Sequence, residues 1–145
     1  MTTATSNNTI GVSVTGGHLV TGKLSGVTVL PGTILMREPG LVQSYTVNTF
    51  PDIYVESIVL VEETKYGMSI DTPYVDGSAI KMHIGRAGDI FVLWVTSGVV
   101  SWGTNLTPDA AGGLCACIVG DYVFGICLEN DPIPIYPRRT LVAIA

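Results

Sequence analysis

The sequence predicts an all-β fold with little helix, on three observations. Apolar residues recur at every second position along most of the chain, the period of a half-buried strand. Turn signals built on Gly, Pro, Asn and Asp recur about every 8–12 residues, the spacing of small barrels and sandwiches. No stretch of about 12 residues carries an apolar stripe at helical spacing.

The elements follow in order. Thr9 to Val14 reads T-I-G-V-S-V, with Ile10, Val12 and Val14 expected on one face. His18 to Leu30 alternates, broken at Gly22 and Gly26. Pro31-Gly32 is a turn before the apolar run Thr33 to Arg37, and Glu38-Pro39-Gly40 is the next turn. Leu41 to Val47 and the β-branched stretch Ile53 to Glu62 are strands on either side of the break at Phe50-Pro51-Asp52. Glu63 to Gly67 is a loop, and Asp71 to Gly77 is rich in turn residues. Ala79 to Ile84 places Ile80, Met82 and Ile84 on one face and Lys81 and His83 on the other. Arg86-Ala87-Gly88-Asp89 turns tightly into Ile90 to Thr96, and Ser97-Gly98 turns again before Val99-Val100. Asn105 to Gly113, with Pro108 and a Gly-Gly pair, reads as a polar loop. Leu114 to Val119, Tyr122 to Glu129 and Thr140 to Ile144 complete the strands. Ile133-Pro134-Ile135-Tyr136-Pro137 is excluded from a central strand, because proline donates no ladder hydrogen bond. No repeat of fixed period stands out. The expected organisation is a flexible arm over residues 1–9 and a single β domain over 10–145, or two small lobes dividing near residue 50.

Composition narrows the function classes. The 145 residues are 47% hydrophobic and 13% charged, with a mean hydropathy of +0.46. Wholesale disorder is excluded, since disordered chains are poor in apolar residues. No apolar run approaches the ~20 residues of a membrane-spanning helix, and no membrane partner is expected. The first nine residues lack Lys, Arg and an apolar stretch, so they do not read as a secretory signal. A net charge of −5 with 7 basic residues leaves no basic footprint for nucleic acid. So few charges imply that much of the surface faces other protein.

Residues for chemistry are sparse. Cys115, Cys117 and Cys127 are odd in number and lack zinc-type spacing, so they read as thiols of a reducing compartment. His18 and His83 lie in separate segments. The acids mostly sit beside Gly, Pro or Asn, where they serve turns. Neither G-x-S-x-G nor a phosphate loop occurs. No catalytic, cofactor or metal residue is assigned, and neither an enzymatic activity nor a small-molecule substrate is expected. Trp94 reads as core, whereas Trp102, in a Ser/Gly turn, reads as a lid or an interface anchor.

From Pro31 onward the order of landmarks resembles a known family. These are Pro31-Gly32 with Thr33 to Met36, Ile58 to Glu63 leading to Gly67, and Ile70-Asp71-Thr72-Pro73-Tyr74-Val75-Asp76-Gly77. Gly85-Arg86-Ala87-Gly88-Asp89-Ile90-Phe91, Gly113-Leu114, Val123 to Glu129 and Arg139 to Ile144 follow. Over roughly residues 31 to 145 the chain is similar to the decoration (cement, or head-stabilising) proteins of tailed-bacteriophage capsids. It departs from them in carrying Gly103-Thr104-Asn105 where a Gly-Asp is expected. The resemblance implies a small β-barrel, β-tulip-like or a sandwich of short antiparallel strands, with an extended N-terminal arm. It implies a homotrimer made in the bacterial cytoplasm, placed on the capsid exterior of the virion and bridging major capsid proteins. The candidate capsid or trimer contacts are the apolar residues of the arm and turns, Ile10, Val12, Val14, Trp102 and Tyr136.

Overall fold

The computed structural model describes residues 9–14, 18–51, 53–54, 56–63, 67–129 and 136–145. The expected arm, apart from Thr9, lies outside the described residues, as does the Ile133 to Ile135 part of the proline-flanked stretch.

Of the eleven strands among the described residues, ten make two closed five-stranded barrels. The first contains β2 (His18–Leu24), β3 (Ile34–Arg37), β4 (Ser44–Val47), β5 (Ile58–Val61) and β6 (Ala79–Ile84), closed in the order β2-β4-β3-β5-β6. The second contains β7 (Ile90–Ser97), β8 (Asn105–Pro108), β9 (Leu114–Ala116), β10 (Gly125–Cys127) and β11 (Arg138–Ile144). Its order is β7-β11-β10-β8-β9, closed by β9 returning to β7. A short strand, β1 (Gly11–Ser13), pairs with the start of β7. Closure removes exposed strand edges, which suits strands of three to eight residues.

Sheet membership changes at Gly85–Asp89, not near residue 50. The chain around residue 50 is a connection inside the first barrel, between β4 and β5. The two barrels share a wall. All four residues of β5 are buried, because each face meets a different core. Ile58 and Leu60 point into the first barrel with Leu24, Leu35, Tyr45, Ile80 and Met82. Val59 and Val61, with Ile34 of β3, join Phe91, Leu93, Val95, Leu106 and Val142 of the second. This is why β5 reads as an unbroken apolar run.

A polar clasp reinforces the wall. Arg139 of β11, its side chain 8% exposed, donates from Nη1 to Asp71 Oδ1 (2.9 Å). Its Nη2 donates to the Pro31 carbonyl (3.1 Å) and to the Ile70 carbonyl. The guanidinium lies 4.6 Å from the Trp94 ring centroid, and Trp94 Nε1 also donates to the Pro31 carbonyl (3.2 Å). Trp94 is therefore half-buried as a bracket between barrels.

The barrels are copies of one topology. Numbered in chain order within each barrel, the five strands close as first-third-second-fourth-fifth in both. The first and third strands are parallel in both, and the other joints are antiparallel. The registers agree as well. Leu35 faces Val47 and Ile58, as Leu106 faces Ala116 and Gly125. Val20 faces Met82, as Phe91 faces Val142. The turns before the second strands read G-T-I-L at 32–35 and G-T-N-L at 103–106, with positive φ at Gly32 and Gly103.

Three expectations need correction. Asn105 to Pro108 is strand β8, not loop: Leu106, Thr107 and Pro108 are buried, and Pro108, which has no N–H to donate, is the residue where the strand stops. Ile10, Val12 and Val14 do not share one face, because β1 has a bulge between Gly11 and Ser13. Ile10 is fully buried among the second barrel's core residues, whereas Val12 is exposed. Only Ile58–Val61 of the Ile53 to Glu62 stretch is strand.

Candidate interaction surface

The candidate surface is one end of the second barrel, and local turn chemistry builds it. Four turns share one design: Ser69–Thr72, Arg86–Asp89, Ser101–Thr104 and Ile118–Asp121. In each, the fourth residue's N–H donates to the first residue's carbonyl. In each, the fourth residue's side-chain oxygen accepts the first residue's N–H, at 3.1, 2.8, 3.1 and 2.8 Å respectively. Two reciprocal bonds fix each turn. In three of the turns the second position is a large apolar residue: Ile70 packs on the second barrel's core, whereas Trp102 and Val119 are 65% and 103% exposed. Gly103 and Gly120 follow them with φ of 84° and 96°, a conformation β-carbons disfavour.

Both turns lie at the same end of the barrel. β8 begins there, and its antiparallel neighbours β9 and β10 end there. Cys117 N donates to the Asn105 carbonyl, and Gly103 N to the Cys127 carbonyl. β7 ends there too, and its following turn exposes Val99. Trp102, Asn105, Ile118, Val119 and Ile126 are all exposed around this end. From Gly98 to Gly120 the chain has one charged side chain, Asp109. That carboxylate turns inward, accepting from Thr96 Oγ1 and from the N–H groups of Ala111 and Gly113. Tyr54 of the first barrel's β4–β5 connection extends the apolar surface by an edge-on ring contact with Tyr122, centroids 5.6 Å apart.

Of the residues singled out in the sequence, Trp102 and Tyr136 come to this end. Tyr136 is partly buried, and its hydroxyl donates to the Gly98 carbonyl. Ile10, Val12 and Val14 lie elsewhere, along β7. Ile10 N donates to the buried Glu62 Oε2 (3.1 Å), Val92 N donates to the Ile10 carbonyl, and Val14 packs on the core. Val99, Ile118, Val119 and Ile126 were missed; the signal for Val99 and Val119 is an apolar residue beside a turn glycine.

The titratable groups do not converge on this end. His83 packs near Phe91, and burial, with Lys81 second, lowers its pKa below the ordinary 6.5. Burial, helped by Glu63 and Glu62, raises the Tyr74 hydroxyl to about 12, where it donates to the Val61 carbonyl (2.8 Å). None of the three cysteines is in a disulfide, and burial pushes the Cys127 thiol up. Among the described residues no three His, Cys, Asp or Glu side chains are grouped for a metal ion.

The architecture is thus a tandem pair of five-stranded barrels fused through a common wall. The same fold is found in the crystal structure of the N base of head fiber gp8.5 from bacteriophage phi29. The TM-score is 0.58 at 12% identity, covering 89% of this chain and 94% of that one. No protein-family model matches the chain, and no curated protein matches it in sequence.

Proposed function

We propose that the chain is a structural protein of a tailed-phage head. Within that class we read it as a decoration protein that binds the outer surface of the expanded capsid and bridges neighbouring major capsid proteins. It acts without catalysis, as a homotrimer, in the virion. The observation that carries the reading is the fold shared over nearly the whole chain with the base of a phage head fiber. The charge-poor apolar end supports it, since rigid apolar anchors suit protein contacts. Packaged DNA pushes capsomers apart, and a clamp across two capsomers adds interface that must be lost before they separate. Many weak clamps on a closed shell act together.

The test is co-sedimentation of purified protein with heads that lack it. Saturable binding to expanded shells, absent with unexpanded ones, is expected. A protein that ignores both kinds of shell would refute the reading. The neighbour's being a fiber base favours a second reading, a base that carries another protein outward. In that case protein bound to shells would itself recruit a further virion protein.

A further inference from the structure

The internal repeat offers a template for the exposed end of the second barrel, because the matching face of the first barrel is already covered. Pro31-Gly32-Thr33-Ile34 corresponds to Trp102-Gly103-Thr104-Asn105, and Val59 corresponds to Ile126, by the matched registers. In the first barrel this face is buried against β7 and β11 of the second. A Cβ on Gly32 would lie 2.9 Å from the Val92 carbonyl and 3.5 Å from Trp94 Cδ1. Pro31 meets Trp94 and Arg139, while Ile34 and Val59 enter the second core. In the second barrel the same face is open, with Trp102 65% and Ile126 36% exposed.

The docking wall has a counterpart too. Val92, Trp94, Arg139 and Leu141 correspond to Thr21, Lys23, Ala79 and Lys81, and Ile90 to Leu19. On the first barrel this wall is open: Leu19 is half exposed, and Thr21, Lys23 and Ala79 are exposed. A cleft of about 300 Å³ opens between Thr21, Ala79 and Lys81, floored by Met68, Tyr74 and Ile80 and edged by Glu63. The wall's lysines suit the other side, which offers an indole face and the Asp121 carboxylate.

We propose that copies of this chain associate head to tail. The Trp102–Ile126 end of one copy seats on the Leu19–Lys23–Lys81 wall of the next, repeating between molecules the contact that joins the barrels within one. A heterologous contact of this kind forms a ring if its rotation closes. The inference deepens the assembly proposed above, and rests on it for the number of copies in the ring.

The experiment uses the full chain in sedimentation velocity. Wild type sediments as an oligomer. Trp102→Asp removes the donor end, and Leu19→Asp or Lys23→Glu the acceptor wall. Each runs at the 15.3 kDa monomer mass, with a dissociation constant raised about thirtyfold or more. All three positions are exposed, so each variant stays folded, with the circular dichroism spectrum of wild type. Ala87→Asp, on the same turn design at the opposite end, keeps the oligomer. Mixing Trp102→Asp with Leu19→Asp restores a dimer, since one intact end meets one intact wall. A monomeric wild type, a Leu19→Asp variant that keeps wild-type mass, or a mixture that stays monomeric would overturn the inference. If the monomeric wild type binds expanded heads and Trp102→Asp does not, the capsid takes this end and the decoration reading alone survives. If the oligomer forms and the mixture dimerises but heads are ignored, the decoration reading fails and the head-to-tail contact stands.

Discussion

Replacing Arg139 by alanine tests whether the clasp couples the barrels. The Pro31 carbonyl keeps Trp94 Nε1 as a donor, but the Ile70 carbonyl loses the one Arg139 gives it. The Ile70 carbonyl is part-buried, so losing its donor costs about 1 kcal/mol. Loss of the guanidinium from the Trp94 face costs about 1–2 kcal/mol, and the buried methylene stem adds a similar amount. The Asp71 pair adds little, since Asp71's side chain is 83% exposed and such pairs contribute about 0–1 kcal/mol. The terms overlap, so the expected loss is about 3–5 kcal/mol, as for other broken buried charge networks. Against a total stability of about 5–15 kcal/mol this is a large fraction. Urea unfolding followed by tryptophan emission measures it, because Trp94 is inside the clasp. Arg139→Lys keeps the charge and stem but lacks the fork, and is expected to lose about 1–2 kcal/mol. Asp71→Asn is expected to lose under about 1 kcal/mol. An Arg139→Ala loss below 1 kcal/mol, or an Asp71→Asn loss equal to it, would refute this account.

Three further outcomes are expected. Ile10→Ala leaves a cavity between the barrels and lowers stability by about 2–4 kcal/mol in the same assay. Gly112→Ala destabilises by more than an ordinary surface change. The new Cβ would sit 2.4 Å from Thr33 Cγ2 and 3.2 Å from the Ile34 carbonyl, at a φ of +80°, and the melting temperature reads the loss. His83 is held neutral by burial and by Lys81, opposed by Asp89 and Glu62, so its folded pKa lies below the unfolded 6.5. Its contribution is therefore complete above pH 6.5 and is lost as pH falls through the folded value. His83→Gln is expected to flatten the melting temperature against pH just below 6.5.

The legible parts of the sequence were those where one residue carries one instruction. β6 follows from clean alternation and β7 from a continuous apolar run, joined by Arg86-Ala87-Gly88-Asp89, whose acid and glycine fix the turn. β8 was illegible because its polar residues and Pro108 mimic a loop, while burial of Thr107 and Pro108 depends on strands far along the chain. β1 was misread because a bulge leaves no trace in alternation. The repeat escaped a search for fixed period because the spacing between equivalent residues shrinks, from Leu35 and Leu106 to Ile84 and Ile144. Most of the exposed end was invisible for a related reason: Trp102 stood out by composition, but Ile126 is exposed only because no third barrel covers it.

The double-faced strand β5 has a consequence for how the molecule can be cut. A fragment ending after β6 would carry all five strands of a complete barrel, yet present Ile34, Val59 and Val61 to water. The remaining piece would lose the panel that covers Val92 and Trp94 of β7. Neither half is a module that a genome could shuffle alone, although each closes its own hydrogen-bond circuit. The chain is inherited, and must fold, as a pair.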